Sequence, residues 1–314
     1  MKKRIYLVTG ASGFIGSCLT RRLTRMKGEV HVILRKTSKL WRIKDIISKV
    51  KVHECDLSHS AKLNKAIARI KPQIIYHLAA YGAYPYQVEP DKIINTNILG
   101  TWNLLKATSQ LDYKLFVNTG SSSEYGFKKK PMRETDLLEP ASYYAVTKCS
   151  QTLLCSYFAR LQKKPIATLR PFSVYGPYEQ PGRFMPVLMR SLYFKEKMDL
   201  VSAQTAHDHI YIDDVIDAFL LVEKLKRYPG EIFNIGTGRQ SSIKDVVDTL
   251  VKITSKSTDF KWGSMKPRLW DTMHWVADTS KTKSLLGWKA KVGLKEGLSL
   301  TWEWFKDHYR FYVR

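Results

Sequence analysis

Residues 9–16, near the start of the chain, form a glycine-rich stretch that reads TGASGFIG. It directly follows the apolar run at residues 5–8, and residues 14–26 continue with helical apolar spacing. Gly10 allows a tight turn, Gly13 lets backbone N–H groups reach a pyrophosphate, and Gly16 lets the helix pack close to the sheet. Because the three glycines stand between a strand and a helix, they predict a dinucleotide-binding turn.

Strand-like and helix-like segments alternate through the first half of the chain. Strands are predicted at residues 30–34, 51–54, 74–78, 114–118 and 165–169, and helices at 61–70, 91–111 and 143–161. This alternation predicts an α/β fold, a Rossmann-type doubly wound parallel sheet. The pattern loosens after residue 172 around Pro177, Pro181 and Pro186, as in loops. It resumes with a strand and helix at 210–225, a strand at 232–235 and a helix at 242–253 capped by Ser241 or Ser242.

The composition is that of a globular protein, with 44% hydrophobic residues, and no run approaches the ~18 apolar residues of a membrane span. The N-terminal apolar run is too short for a signal peptide. Four cysteines in 314 residues without a Cys-x-x-Cys pair do not form a disulfide framework, so we expect a cytoplasmic protein. Most of the tryptophans in the tail are expected to pack in a small C-terminal lobe.

The charge is strongly positive, with 52 Lys and Arg against 28 Asp and Glu, a net charge of +24. A solvated basic surface, an anionic small ligand, and a nucleic acid or anionic membrane are three competing explanations. The densest basic runs lack interleaved aromatic residues, so we expect no nucleic-acid partner. The histidines lack metal-ligand spacing, and we expect no metal.

Two positions after strands bear on the cofactor. The second strand ends in Arg35-Lys36, where an acid would bind the adenosine ribose of NAD, and an arginine there can pair with the 2′-phosphate of NADP. NADP is therefore preferred over NAD, although two exposed basic residues are the alternative. Asp56-Leu57 follows the third strand, where the acid can contact adenine or merely cap a turn.

A tyrosine and a lysine four residues apart begin the helix at 143–161. Tyr144 and Lys148 share one helix face, and a nearby ammonium favours the phenolate, so Tyr144 can exchange a proton. The preceding strand ends in a serine run that starts at Ser121, and residues past such strand ends line the ligand crevice of a parallel sheet. The glycine turn, the serine run and the Tyr/Lys helix together are far more specific evidence for a catalytic site than any one of these motifs alone.

These motifs resemble the extended short-chain dehydrogenase/reductases of the nucleotide-sugar epimerase/dehydratase group. The resemblance covers nearly the whole chain and includes HLAA at 77–80, NTNILGT at 95–101, LRPFSVYGP at 169–177, IYIDDV at 210–215 and FNIGTG at 233–238. It implies a Rossmann domain at 1–171 and about 208–237, and a nucleotide-sugar lobe of α+β type at 172–207 and 238–314. It also implies a hydride transfer between NAD(P) and a sugar carbon, typically C4, and a homodimer formed through the helices from about Asn95 and Tyr143.

The residues that the motifs and the resemblance single out fall into three sets. The catalytic set is Ser121, Tyr144 and Lys148. The cofactor set is Gly10, Ser12, Gly13, Phe14, Ile15, Gly16, Arg35, Lys36, Asp56, Leu57, Leu78, Ala79, Ala80, Asn97, Tyr144, Lys148 and Pro171. The set for a nucleoside-diphosphate sugar is Tyr81, Ser122, Ser173, Arg183, His207 and Arg268.

Departures from the family pattern choose among its activities. The dehydratases of this family have Thr-Asp-Glu in the loop where this sequence has Ser121, Ser122 and Ser123, followed by Glu124. The resemblance therefore favours a 4-epimerase or a 4-ketoreductase, and a 4,6-dehydratase or decarboxylase is the alternative. Arg35 favours net reduction with NADPH. The arginine of Arg-Asp-Phe-Ile-Tyr is replaced by His207, and the usual asparagine before Val-Tyr-Gly-Pro by Ser173. A second hypothesis is that the protein is not an enzyme but a nucleotide- or RNA-binding protein. The intact Ser/Tyr/Lys set argues against it.

Overall fold

The computed structural model describes residues 3–26, 28–225, 229–266 and 272–313. The chain forms two compact units. The first unit comprises residues 1–126, 137–171 and 216–233, and the second unit comprises 127–136, 172–215 and 234–314. The predicted domain boundaries place 127–136, about 208–215 and 234–237 in the Rossmann domain, whereas these segments group with the second unit.

A seven-stranded sheet is the centre of the first unit. Its strands in chain order are β1 (Ile5–Thr9), β2 (Glu29–Leu34), β3 (Lys51–Glu54), β4 (Ile74–His77), β5 (Leu115–Thr119), β6 (Ile166–Pro171) and β11 (Glu231–Ile235). The spatial order is β11-β6-β5-β4-β1-β2-β3, and β1 to β6 pair in parallel. The predicted doubly wound sheet is confirmed, and its strand order reverses between β1 and β4, where such folds bind ligands.

The helices of this unit connect the strands. They are α1 (Phe14–Arg25), α2 (Ser60–Ile70), α3 (Pro90–Ile94), α4 (Gly100–Thr108) and α5 (Tyr143–Leu161), and single 3-10 turns lie at Lys44–Lys49 and Ser122–Tyr125. The long helix predicted at 91–111 is α3 and α4 joined by a π-helical segment, Asn95–Leu99. Such a bulge changes the direction of side chains and is frequent at functional sites.

The core of the first unit follows from the apolar periodicity of its elements. In α2, Leu63, Ile67 and Ile70 are spaced to lie on one face, and all three are buried. They pack in one cluster with apolar residues of the sheet and of α4 and α5, including Leu7, Ile75 and Phe116. Burial on both faces explains why these strands read as continuous apolar runs.

The second unit has only short strands. They are β7 (Ser173–Tyr175), β8 (Met198–Asp199), β9 (Ala206–His207), β10 (His209–Tyr211), β12 (Ser241–Ser242) and β13 (Phe260–Lys261). Strand β7 pairs with β10 and β8 with β13 in parallel, and β9 pairs with β12 antiparallel. Its helices are α6 (Phe184–Phe194), α8 (Ile243–Thr254), α9 (Ser280–Leu286) and α10 (Leu294–His308), whereas α7 (Ile212–Leu221) extends into the first unit.

Local sequence signals explain some of these elements better than others. Ser242 caps α8 through a capping box with Asp245, which confirms the predicted cap. Helix α6 was not expected, because Pro186 suggested a loop, yet a proline is tolerated in the first turn of a helix. Trp275, Trp288 and Trp302 are buried, while Trp262 is 39% exposed. Among the described residues, no helix has the length and apolar character of a membrane span.

Candidate active site

The glycine turn follows β1 and lies against the end of β4. Gly10 has a φ of +74°, and a Cβ on it would lie 2.5 Å from the carbonyl carbon of Leu78. A Cβ on Gly16 would lie 2.2 Å from the carbonyl oxygen of Gly10. Only glycine therefore fits at either position, and the sequence rule for this turn is met by real contacts.

The N-terminus of α1 suits a diphosphate. Gly13 is its N-cap, no side chain caps the helix, and its first turn, which includes Phe14 and Ile15, contains no acid. Backbone N–H groups and the helix dipole at such an end attract anions. The residues present therefore fit the pyrophosphate of a dinucleotide.

Arg42 is a residue of this region that sequence reasoning missed. Its guanidinium is buried, donates to the carbonyl oxygen of Ser12 at 3.3 Å and lies 4.2 Å from the centre of the Trp41 ring. A loop arginine has no spacing signal, because its contact joins residues 30 positions apart. It places a positive charge beside the glycine turn.

The ends of β2 and β3 lie close enough to interact electrostatically. Arg35 forms a turn in which its N–H donates to Ser38 Oγ at 3.0 Å, and Lys36 is exposed. Asp56 accepts from the N–H and the hydroxyl of Ser58 at 2.9 and 2.8 Å. Burial acts to raise the pKa of Asp56, but these hydrogen bonds and the Arg35 charge outweigh it and lower the pKa. Asp56 thus caps the turn that continues into buried Leu57.

A buried polar chain fixes the end of β4. His77 Nδ1 lies 2.7 Å from Thr9 Oγ1, and His77 Nε2 lies 2.9 Å from Thr101 Oγ1. Burial lowers the pKa of His77 to about 3, so the imidazole is neutral. The N–H groups of Leu78 and Ala79 donate to the carbonyl and hydroxyl oxygens of Thr9. This holds residues 78–80, and so Ala80, next to the glycine turn.

Asn97 joins the loop after β4 to α5. Its Oδ1 accepts from Tyr81 N, while its Nδ2 donates to Tyr81 O and to Thr147 Oγ1, each at 2.8 Å. These bonds occupy its amide, so the structure gives Asn97 a positioning role. The hydroxyl of Tyr81 donates to Glu89.

Helix α5 carries Tyr144 and Lys148 one turn apart. It begins at a Ser142 cap, whose Oγ accepts from Ala145 N at 3.1 Å. Tyr144 is half-buried, and Lys148 is 2% exposed. The Lys148 ammonium donates to the carbonyl oxygen of Thr119, at the end of β5, and to Gln151 Oε1. Burial lowers the pKa of Lys148 to about 8, against the opposing charge of Glu124.

The serine run forms a capped 3-10 turn directly after β5. Ser121 Oγ accepts from Ser123 N at 3.2 Å, and Glu124 Oε1 accepts from Ser121 N at 2.7 Å. Ser122 is buried. The carbonyl oxygen of Thr119 accepts from Lys148, and Ser121 follows two residues later. The end of β5 therefore brings Lys148 and Ser121 close together within the first unit. Pro171 ends the neighbouring strand β6.

Three of the predicted substrate residues lie in the second unit. Ser173 starts β7 and its N–H donates to Asp208 O, and His207 ends β9. Arg183 is the N-cap of α6, 3.8 Å from Glu179. Arg268, like Asp271 and Trp270, lies outside the described residues.

The His-Asp-His sequence at 207–209 has a structural acid at its centre. Asp208 is fully buried and accepts from the N–H groups of Thr237, Gly238 and Ala277. His207 and His209 have ring centres 5.9 Å apart. Burial, with the charges of His207 and Arg183, lowers the pKa of His209 to about 3. Across the described ranges, no cluster of three or more His, Cys, Asp or Glu side chains could hold a metal ion.

Known proteins are similar to this chain in sequence and in fold. A probable UDP-glucuronate 4-epimerase of Rhizobium meliloti is 26% identical, with 97% of this chain and 98% of that protein covered. A UDP-glucuronic acid 4-epimerase from Bacillus cereus, solved with UDP-glucuronic acid and NAD, is 30% identical, covers 97% and 99%, and has a TM-score of 0.87. The human dTDP-D-glucose 4,6-dehydratase is 28% identical, with 98% and 91% covered.

The family assignment rests on most of the chain. The sequence model of the NAD dependent epimerase/dehydratase family matches residues 6–236, which include the glycine turn, the Ser121 turn, α5 and all of the seven-stranded sheet except its first residue, Ile5. The site geometry above is built within this matched region. The protein is an enzyme of the NAD dependent epimerase/dehydratase family.

Proposed function

We propose that the protein interconverts nucleoside-diphosphate sugars by reversible oxidation at C4 of a hexose, as a 4-epimerase. The observation that carries this proposal is the buried Lys148 ammonium, held at the end of β5 one helical turn from Tyr144 and beside the Ser121 turn. The glycine turn at the reversal of strand order supplies the dinucleotide site that such a reaction needs.

Each member of the catalytic set has a role in this proposal. NAD(P), held by the proposed cofactor set, would supply reversible hydride transfer with the sugar carbon. Tyr144 takes the proton of the sugar hydroxyl and gives it back. The Lys148 charge stabilises the phenolate of Tyr144, and the Ser121 hydroxyl orients the sugar oxygen. A buried site strengthens these charge interactions.

We assign the cofactor to the seventeen residues predicted above, with Asn97 acting through the Tyr81 loop. NADP is preferred over NAD in this proposal, because Arg35 directly follows β2, at the position where an acid would favour NAD. Buried Arg42 adds a cation beside Ser12. The sugar nucleotide is assigned to Tyr81, Ser122, Ser173, Arg183, His207 and Arg268.

A net 4-ketoreductase is the second candidate, and Arg35 is the observation that favours it. A dehydratase is disfavoured, because serines occupy the acid positions and Glu124 cannot replace them. Glu124 is fully buried, with both carboxylate oxygens accepting hydrogen bonds from Ser121, Thr152 and Arg170.

Product analysis tests the proposal. The protein is incubated with UDP-, dTDP-, GDP- and CDP-hexoses and their 4-keto forms, with and without NADPH, and products are separated and weighed by mass spectrometry. We expect an isomer of unchanged mass without net NADPH use. Tyr144→Phe should lower turnover by about 10²-fold or more while dinucleotide binding persists. Gain of two hydrogens would establish the reductase, loss of water the dehydratase, and no product at all would refute both candidates.

We also infer a homodimer and a cytoplasmic location. Helices α3 to α5 contact one another and expose large apolar side chains at Leu99, Trp102, Leu153, Tyr157 and Leu161. Large apolar side chains exposed on helices that pack together are typical of an interface. All four cysteines are free thiols, as in a reducing compartment.

A further inference from the structure

We infer that Glu124 and Arg170 are a positioning pair, which holds the Ser121 turn and supplies the negative charge that keeps Lys148 protonated. The inference rests on the proposed function for its catalytic meaning. Its physical content, the charge state of Lys148, can be measured without turnover.

The pair is fully enclosed in the first unit. Glu124 is 0% and Arg170 1% exposed. Arg170 Nε and Nη2 donate to Glu124 Oε2 at 2.9 and 2.8 Å, which is a forked, charge-assisted contact. Arg170 Nη1 also donates to the hydroxyl of Tyr125 at 2.9 Å.

The second oxygen of Glu124 faces the catalytic turn. Oε1 accepts from the backbone N–H of Ser121 at 2.7 Å and from the hydroxyl of Thr152 at 3.1 Å. Burial raises the pKa of Glu124, and the charges of Arg170 and Lys148 and the hydrogen bond from Ser121 N oppose that shift. Every hydrogen-bond partner of the carboxyl donates to it, which is the geometry of an ionised carboxylate. A Cβ on Gly120 would lie 2.7 Å from this oxygen, so the backbone is packed directly against it.

The charges explain why this carboxylate matters to Lys148. Among the described residues of the first unit, Glu124 is the one buried carboxylate, whereas Lys148, Arg42 and Arg170 are buried cations.

Glu124 and Lys148 are brought together by two contacts: Glu124 Oε1 accepts from Thr152, one turn after Lys148 on α5, and from Ser121 N, two residues after the Thr119 carbonyl that accepts from Lys148.

Burial lowers the pKa of Lys148, and the Glu124 charge opposes that shift. The other groups that act on Lys148 are the Cys155 thiol, whose pKa burial raises to about 12, and the neutral His77 imidazole. With a neutral residue at position 124, the pKa of Lys148 would fall and Lys148 would lose its proton at a lower pH than in the wild type. The Lys148 charge would then stabilise the Tyr144 phenolate over a narrower pH range.

The test separates charge from shape. Glu124→Gln keeps the size and the acceptor for Ser121 N but removes the charge. We follow the titration of Lys148 by NMR of protein labelled with lysine 13Cε, assigning its signal by its loss in Lys148→Met. The midpoint should fall by roughly one pH unit or more in Glu124→Gln. It should stay near the wild-type value in Glu124→Asp, which keeps the charge, and in Thr152→Val, which removes only one hydrogen bond.

A second variant guards against misfolding of the first. Glu124→Gln/Arg170→Met removes both charges and leaves no uncompensated buried cation from the pair, a replacement that proteins often tolerate. Its Lys148 midpoint should also fall, but by less than in Glu124→Gln, because the loss of the Arg170 charge acts in the opposite direction. Where turnover is measurable, the loss of kcat on the alkaline side should move to lower pH together with the NMR midpoint.

The outcomes distinguish this inference from the proposed function. An unchanged Lys148 midpoint in folded Glu124→Gln or in the double variant overturns the inference, even if the enzyme epimerises sugars. A lowered midpoint together with no activity on any nucleotide sugar supports the inference and removes the proposed function.

Discussion

At the residue scale, Arg35 is the residue on which the proposed preference for NADP rests. Arg35→Asp should weaken NADPH binding about tenfold or more beyond any effect on NADH, because a charge-assisted hydrogen bond contributes roughly 1.5–3 kcal/mol. Dissociation constants for both nucleotides, measured by fluorescence quenching, check this. Lys39→Asp, the same charge change at an exposed neighbour, is the control. Equal weakening of both nucleotides by Arg35→Asp would contradict the NADP preference.

Single residues also mark the limit of what the sequence can predict about the site. Gly10 and Gly16 were identified by spacing, because the turn geometry depends on neighbours along the chain. Glu124 was noted only as an acid near the dehydratase position, since its partner Arg170 lies 46 residues away. Gln151, which accepts from Lys148, has no signature in an ordinary helix. Contacts distant along the chain thus escape motif reasoning.

At the element scale, α1 packs onto the glycine turn through Gly16. Gly16→Ala should destabilise the protein by about 1–3 kcal/mol, although alanine favours helices, because its Cβ would overlap the Gly10 carbonyl oxygen, which is backbone. Thermal unfolding followed by circular dichroism measures this. Gly182→Ala has no neighbour within 4 Å and should change stability by less than about 0.5 kcal/mol. Equal stability of the two variants would mean that α1 shifts freely.

Elements with strong periodicity were predicted well, and others were not. The predicted bounds of α5 and β3 agree with the structure, since their patterns end at clear breaks. The π-helical segment inside the helix at 91–111 was missed, because Asn97 bonds to the distant Thr147. Helix α6 does not follow from the sequence pattern, because Pro186 is typical of a loop, although a proline is also tolerated in the first turn of a helix, where it stands.

At the scale of the whole molecule, the exposed apolar face of α3 to α5 predicts association. Leu153→Glu/Tyr157→Glu should convert a dimer to a monomer, because these side chains are 58% and 59% exposed in the single chain and charges there would be buried on pairing. Sedimentation velocity gives the mass of the particle. Leu300→Glu, an equally drastic change on α10, should leave the dimer intact. A wild-type monomer at micromolar concentration would end the homodimer proposal.

The strand order of the sheet has a consequence for synthesis of the chain. Six strands lie before residue 172, but β11, which covers the side of β6, comes from residues 231–235. Until the ribosome has released those residues, β6 presents unpaired backbone groups that can recruit a strand from another nascent polypeptide. In a protein truncated after Pro171, the edge of β6 would stay unpaired permanently. The cofactor-binding half should therefore aggregate when it is produced alone.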